Sequence, residues 1–93
     1  MPEFEWDSNK NALNLQKHGI SFEEASHIFN GSGPIVTNYD ENFHEEDREI
    51  SFGLLNGVVV VCVVHTERNG KIRLISARLA TKREREKYYE CIG

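Results

Sequence analysis

Histidine and arginine side chains are the groups of this chain that could do chemistry. RNA can be cleaved without a metal ion when a base removes the 2′-hydroxyl proton, an acid protonates the 5′-oxygen, and a cation stabilises the charge building on phosphorus. The residues of the right types are His44, Arg48, His65, Arg73 and Arg78. Residue type alone also allows a second interpretation, in which Arg48 and His65 form an ordinary polar pair at the end of a sheet.

Positive charge is concentrated near the C-terminus. The chain has 93 residues and a formal net charge of -4, but eight of its eleven lysines and arginines lie in residues 68–93. A local positive field on an acidic body can hold a polyanion, or equally an acidic protein partner. Lys82 and Arg83 in this segment, and Lys17 near the N-terminus, are further candidates for phosphate contacts.

Other reactive residue types fit structural roles. Lys17-His18-Gly19 is typical of the end of a helix, where a basic residue suits the helix dipole and glycine supplies the left-handed turn. Cys62 and His65 are three residues apart, which in a strand places them on opposite faces. A zinc site also needs about four ligands. We therefore expect neither a metal site nor a cofactor.

The N-terminal part of the sequence predicts a short strand and two helices. Residues 4–6 alternate apolar and acidic side chains, as a strand does. Residues 9–17 predict a helix that ends at Gly19. Ser21 and Glu24 have the spacing of a capping box, which predicts the start of a second helix.

The C-terminal part predicts three strands and a final helix, after a polar surface loop over residues 38–48. Asn56-Gly57 and Asn69-Gly70 are strong signals for tight hairpin turns. The predicted strands are residues 48–55, 58–66 and 71–77, and the helix runs from a capping box at Thr81 and Glu84 to about Cys91. The order β-α-α-β-β-β-α predicts one α+β domain, residues 1–93, with helices packed on an antiparallel sheet.

The two hairpins predict which side chains share a face of the sheet. A two-residue loop at Asn56-Gly57 places Arg48 opposite His65. A two-residue loop in the second hairpin places Arg78 on that same face. A bulge would reverse this arrangement, because side chains alternate with a period of two. The regular register predicts that imidazole and guanidinium groups meet at one end of the sheet.

Several separated motifs occur in one order along nearly the whole chain. They are Phe4-Glu5-Trp6-Asp7, Lys10 with Asn14, the run from Lys17-His18-Gly19 to Ala25, His44 with Glu46-Asp47-Arg48, Gly53, His65-Thr66-Glu67-Arg68, Ile72-Arg73-Leu74-Ile75-Ser76-Ala77-Arg78 with Ala80, and Glu84 with Tyr88. In these motifs the chain resembles the BrnT-type toxins.

The resemblance implies a fold similar to that of the RelE-like ribonuclease toxins. It implies RNA cleavage that arrests translation, by the toxin of a type II toxin–antitoxin module. The partner would be a BrnA-like antitoxin, in an assembly of two toxins and two antitoxins that reaches operator DNA only through the antitoxin. On the motifs, we expect proton transfer by His65 and His44, and phosphate stabilisation by Arg48, Arg73 and Arg78.

A second hypothesis is a non-catalytic interaction module, or a degenerate toxin that acts as an antitoxin-bound co-repressor. In that case the basic C-terminal helix would dock an acidic segment of the antitoxin. The N-terminus lacks the pattern of a secretory signal, and no apolar run approaches the roughly 20 residues that span a bilayer. We expect a cytoplasmic protein that does not bind membranes.

Overall fold

Three α-helices, one 3-10 turn and five strands make up the part of the chain that a computed structural model describes, which is residues 2–30, 33–39 and 48–93. In chain order they are β1 (Phe4–Glu5), α1 (Ser8–His18), α2 (Phe22–Ser26), the turn (His27–Phe29), β2 (Val36–Tyr39), β3 (Glu49–Leu55), β4 (Val59–Arg68), β5 (Lys71–Leu79) and α3 (Lys82–Ile92). This confirms the predicted α+β class and adds one strand, β2. None of the helices in these ranges is long and apolar enough to cross a membrane.

The strands form one mixed sheet in the order β1-β5-β4-β3-β2. β1 pairs parallel to β5, and the other neighbours pair antiparallel. The sequence predicted an antiparallel sheet without β2, and both differences come from very short strands. β1 has two residues and β2 has four, which is too few to give a clear alternating pattern.

Helices cover both faces of the sheet. On one face α1, α2 and the 3-10 turn pack on a buried apolar cluster, which consists of Ile20, Phe22, Ala25, Ile28, Leu55, Val61, Val63, Leu74 and Ala77. On the other face Tyr88 of α3 is buried with Val60 and Ala80. β4 is therefore covered on both sides, in agreement with its nearly continuous run of valines.

The helix ends form where short-range sequence signals place them. Asp7 accepts a hydrogen bond from the Lys10 N–H at 3.0 Å, and Gly19, with φ of 73°, ends α1 in the left-handed conformation. The capping boxes at Ser21 and Glu24, and at Thr81 and Glu84, are both complete.

The first hairpin contains the predicted tight turn followed by one extra residue. Asn56 and Gly57 have φ of 56° and 72°, and the Val58 N–H donates to the Leu55 carbonyl at 3.1 Å. The ladder then begins with Leu55 opposite Val59, so that Val58 is left out of the pairing. This single residue shifts the whole β3–β4 register by one position.

The shift changes which side chains share a face. His65 lies opposite Glu49, and the predicted pair of Arg48 with His65 is wrong. Because side chains alternate along a strand, Arg48 belongs to the face of the sheet opposite to that of His65.

The second hairpin is regular at its turn and irregular further along. It places His65 opposite Leu74, as the two-residue loop predicts. β5 then contains one extra residue, Ile75, and beyond it Arg78 lies opposite Cys62. Cys62 and His65 are three residues apart on β4, so Arg78 is on the face opposite to His65 and the predicted convergence of these two side chains is wrong.

Asn14 of α1 replaces a neighbouring strand along part of β5. β1 pairs only with Ile72 and Arg73 of β5. Further along, the Asn14 amide nitrogen donates to the carbonyl oxygens of Ala77 (2.8 Å) and Ile20 (2.9 Å), and its oxygen accepts from the Ala77 N–H (3.1 Å). One buried side chain thus satisfies the edge of β5 and fixes α1 on the sheet.

Gly53 allows the 3-10 turn to approach β3 closely. A Cβ at Gly53 would lie 2.9 Å from Cβ of Ile28. We predict that Gly53→Ala lowers the free energy of unfolding by about 1–3 kcal/mol, the usual effect of overpacking, in a denaturant titration. In the control Gly33→Ala the new Cβ meets no atom within 4 Å, and stability should change by less than about 0.5 kcal/mol. Equal effects of the two substitutions would contradict the steric explanation.

Candidate functional site

An open cleft of about 400 Å³ lies at one end of the sheet. The described residues that line it are Lys10, Arg48, Thr66, Glu67, Arg68, Arg73 and Ile75. These include four cations and one carboxylate, although the chain as a whole has a net charge of -4. The local excess of positive charge makes the cleft suitable for an anion.

Four elements bring the cations of the cleft together. Lys10 is in the first turn of α1, Arg48 directly precedes β3, and Arg68 is the last residue of β4. Arg73 lies on β5 opposite Thr66 of β4. By strand alternation, Arg48, Thr66 and Arg73 face the side of the sheet whose other end α3 covers.

Arg73 is positioned by an acidic side chain from β1. The parallel pairing of β1 with β5 places Glu5 beside Arg73, and Nη1 of Arg73 donates to Oε2 of Glu5 at 2.8 Å. Asp7, two residues further on, has a lowered pKa, chiefly because it accepts the backbone hydrogen bond from Lys10, with smaller contributions from the charges of Lys10 and Arg73. β1 and the start of α1 therefore hold one wall of the cleft against β5.

His65 does not line the cleft and is part of the core. It is 7% exposed, its Nε2 lies 2.7 Å from Oγ of Ser51, and that hydroxyl lies 2.8 Å from Oγ1 of Thr37. The ring of Phe29 packs edge-on against the imidazole, with centroids 5.1 Å apart. Burial lowers the pKa of His65 and so favours the neutral ring, while the charge of Glu49 partly opposes this shift. This chain of hydrogen bonds joins β2, β3 and β4.

Arg78 lies further along β5, away from the cleft, and binds Glu84 of α3. Its two terminal nitrogens donate to the two carboxylate oxygens at 2.7 and 2.9 Å. These hydrogen bonds are the main reason why the pKa of Glu84 is lowered to about 2 and the pKa of Arg78 is raised. The bidentate pair joins the end of β5 to the first turn of α3.

The structure brings together only part of the predicted site. Arg48 and Arg73 line the cleft, while Lys17, Lys82 and Arg83 are exposed elsewhere, and His44 lies outside the described residues.

Five lining residues were not among the predicted site residues, and three of these are charged: Lys10, Glu67 and Arg68. Glu67 and Arg68 directly follow His65-Thr66 in one of the motifs, so the signal for them was present in the sequence. Lys10 also belongs to the motifs, but only the packing of α1 beside β5 shows that it lines the cleft.

Comparison with known proteins identifies the class of protein to which this fold and cleft belong. A family model for ribonuclease toxins of type II toxin–antitoxin systems matches residues 6–84. The family is BrnT, and the chain belongs to it.

The fold is also similar to a solved structure, the crystal structure of the ribonuclease toxin BrnT of Brucella abortus. The TM-score is 0.67 at 24% sequence identity, over 88% of this chain and 100% of that one. At this identity the likeness supports the fold alone. A comparison with curated proteins gave no match.

The pair of Arg78 with Glu84 predicts a specific dependence of stability on pH. The folded-state pKa of Glu84, about 2, lies below its ordinary value of 4.5. The stabilisation is therefore complete above pH 4.5 and is lost as the pH falls towards 2.

We predict that Glu84→Gln, which keeps an acceptor for the Thr81 N–H, lowers the free energy of unfolding at pH 7 by about 1 kcal/mol, because the pair is partly exposed. Denaturant titrations at several pH values should show this difference shrinking towards pH 2. Glu86→Gln, an exposed position on the same helix, is the control. A difference that does not change with pH would contradict this explanation.

Proposed function

We propose that this chain is a metal-independent endoribonuclease whose activity arrests translation and which a BrnA-like antitoxin neutralises. The observation that supports this most directly is the cluster of four cations in one cleft of a BrnT-family fold. Arginine is suited to phosphate because its planar guanidinium can donate two parallel hydrogen bonds. The substrate of the cleft is then the sugar–phosphate backbone of RNA.

In this proposal Arg68, Arg73 and Arg48 hold the scissile phosphate. Glu5 binds one terminal nitrogen of Arg73, and a guanidinium has further N–H donors for a phosphate oxygen. Fixed cations stabilise the charge that develops on the phosphoryl oxygens as the 2′-oxygen attacks phosphorus and the bond to the 5′-oxygen breaks. The products are a 2′,3′-cyclic phosphate and a free 5′-hydroxyl.

Two proton transfers complete the reaction. We assign Glu67, the one carboxylate among the described lining residues, as the acceptor of the 2′-hydroxyl proton. Glu67 follows Thr66 on β4, so by strand alternation its side chain starts from the opposite face at the end of the sheet. His44 remains the predicted proton donor to the 5′-oxygen. We assign His65 and Arg78 a positioning role, because His65 is in the core and the Arg78 guanidinium is bound to Glu84.

Cleavage of RNA by the purified protein tests the assignment of the cleft. We predict that the wild-type protein cuts RNA equally well with and without EDTA. Arg68→Gln should lower the cleavage rate by about 100-fold, a typical effect of removing one group that stabilises the transition state. Lys71→Gln is the matched control, since Lys71 lies opposite Arg68 on the hairpin and does not line the cleft. Intact RNA under both conditions, without growth arrest on expression, would instead support the interaction module.

The role of His65 can be tested by comparing two substitutions. If His65 only positions its neighbours, His65→Gln, which can still form a hydrogen bond with Ser51, should cleave RNA with the same dependence of rate on pH as the wild type. His65→Ala removes that bond and leaves a cavity, so it should lower the free energy of unfolding by about 2 kcal/mol in a denaturant titration. A His65→Gln protein that is stable but inactive would show that His65 is catalytic, as the sequence motif predicts.

A further inference from the structure

A second concave surface lies at the other end of the sheet, between the tip of the β3–β4 hairpin, the end of β5 and α3. It has a volume of about 340 Å³, and we call it the apolar groove. Val58, Leu79 and Tyr89 in it are 73%, 56% and 49% exposed, which is high for such side chains. The described residues that line the groove are Val58, Val59, Val60, Leu79, Ala80, Arg85 and Tyr89.

β4 separates the apolar groove from the basic cleft. Val59, its first residue, lines the groove, and Arg68, its last residue, lines the cleft. The nearest lining residues on β4, Val60 and Thr66, are six residues or about 20 Å apart at about 3.3 Å each. On β5, Leu79 of the groove and Ile75 of the cleft are four residues or about 13 Å apart. Substitutions in the groove therefore leave the cations of the cleft in place.

α3 gives one side of the groove a positive charge. Arg85 lines the groove and donates from Nη1 to the Ala80 carbonyl at 3.1 Å. Lys82, Arg85, Tyr89 and Ile92 share one helix face, since they are spaced three, four and three residues apart. Glu84, the acid of the first turn, is bound to Arg78. The lining residue Arg85 and the neighbouring Lys82 make the N-terminal end of this face basic, with the exposed Glu86 at its border, and Tyr89 and Ile92 make its C-terminal end apolar.

We propose that the apolar groove binds an acidic, amphipathic segment of the antitoxin. Its apolar side chains would contact Val58, Leu79 and Tyr89, and its carboxylates would pair with Arg85 and Lys82. The proposal rests on the toxin–antitoxin function proposed above, and it assigns to this chain the surface that the partner occupies.

The charge and polarity of the groove favour an acidic segment over two other occupants, a second copy of the chain and RNA. A second copy of the chain docked symmetrically through the groove would bring Arg85 and Lys82 close to the same cations of its partner. RNA is disfavoured because valine and leucine side chains offer no hydrogen-bond donor to a phosphate. An acidic segment with apolar side chains matches both parts of the surface.

Calorimetric titration of the full chain with the purified antitoxin encoded beside it tests the proposal. Leu79→Asp and Val58→Asp, both at exposed positions, should weaken binding by about tenfold or more, the effect expected at the centre of an interface. Without antitoxin, RNA cleavage and growth arrest by these variants should equal those of the wild type. The control is Leu13→Asp, at a 64% exposed apolar position of α1, which should bind like the wild type.

Two matched substitutions on α3 test whether positive charge beside the groove contributes to antitoxin binding. Arg85→Glu should weaken antitoxin binding, whereas Lys87→Glu, the same change of charge on another face of the helix, should not. Wild-type affinity in Leu79→Asp, Val58→Asp and Arg85→Glu would overturn the groove assignment and leave the toxin function intact. The assignment would also be wrong if these variants lost only self-association or only RNA binding. A wild-type chain that cuts RNA but does not bind the antitoxin would overturn both this proposal and the proposed partnership.

Discussion

The distribution of side chains over this molecule depends on how β4 pairs with its two neighbours. β4 is apolar on both faces, so burial alone does not select one register over another. Two residues outside the regular ladder, Val58 and Ile75, determine the pairing instead. Each adds one position to a pattern with a period of two. As a result Arg48 faces away from His65, and the basic cleft is separated from the core.

Buried hydrogen bonds then fix the helices and strands that surround the cleft. Every buried side-chain nitrogen and oxygen in the described part of the chain has a hydrogen-bond partner. Asn14 joins α1 to β5, and Ser51 joins β3 to β4 through His65. Leaving such a group unpaired in the core costs more than the bond itself contributes, so these contacts select one arrangement of the elements. The position of Lys10 at the cleft depends on this placement of α1.

The sequence predicted the features that depend on a few neighbouring residues. Caps at Ser21 and Thr81 and the turn at Asn56-Gly57 form as expected, because the groups that make each one lie within four positions. The register that decides which side chains share a face was predicted less well, because nothing local distinguishes an unpaired residue such as Val58 from its valine neighbours. Arg48 and Arg73, which residue type and motif predict as site residues, line the cleft together with Lys10, which the tertiary packing of α1 brings there.

The charge distribution distinguishes the two surfaces, because the cleft is lined by four described cations whereas the groove is mainly apolar with one lining arginine. Affinity for a phosphate backbone grows with the number of cations it meets, and the acidic remainder of the chain disfavours RNA outside the cleft. The same acidic surface disfavours an acidic antitoxin segment everywhere except near the cations of the cleft and of α3. The groove and the cleft have separate lining residues, and on β5 the nearest of these, Leu79 and Ile75, are four residues or about 13 Å apart at about 3.3 Å each. If the antitoxin binds in the groove as proposed, the segment held there does not itself contact the described cations of the cleft, and inhibition requires a further part of the partner.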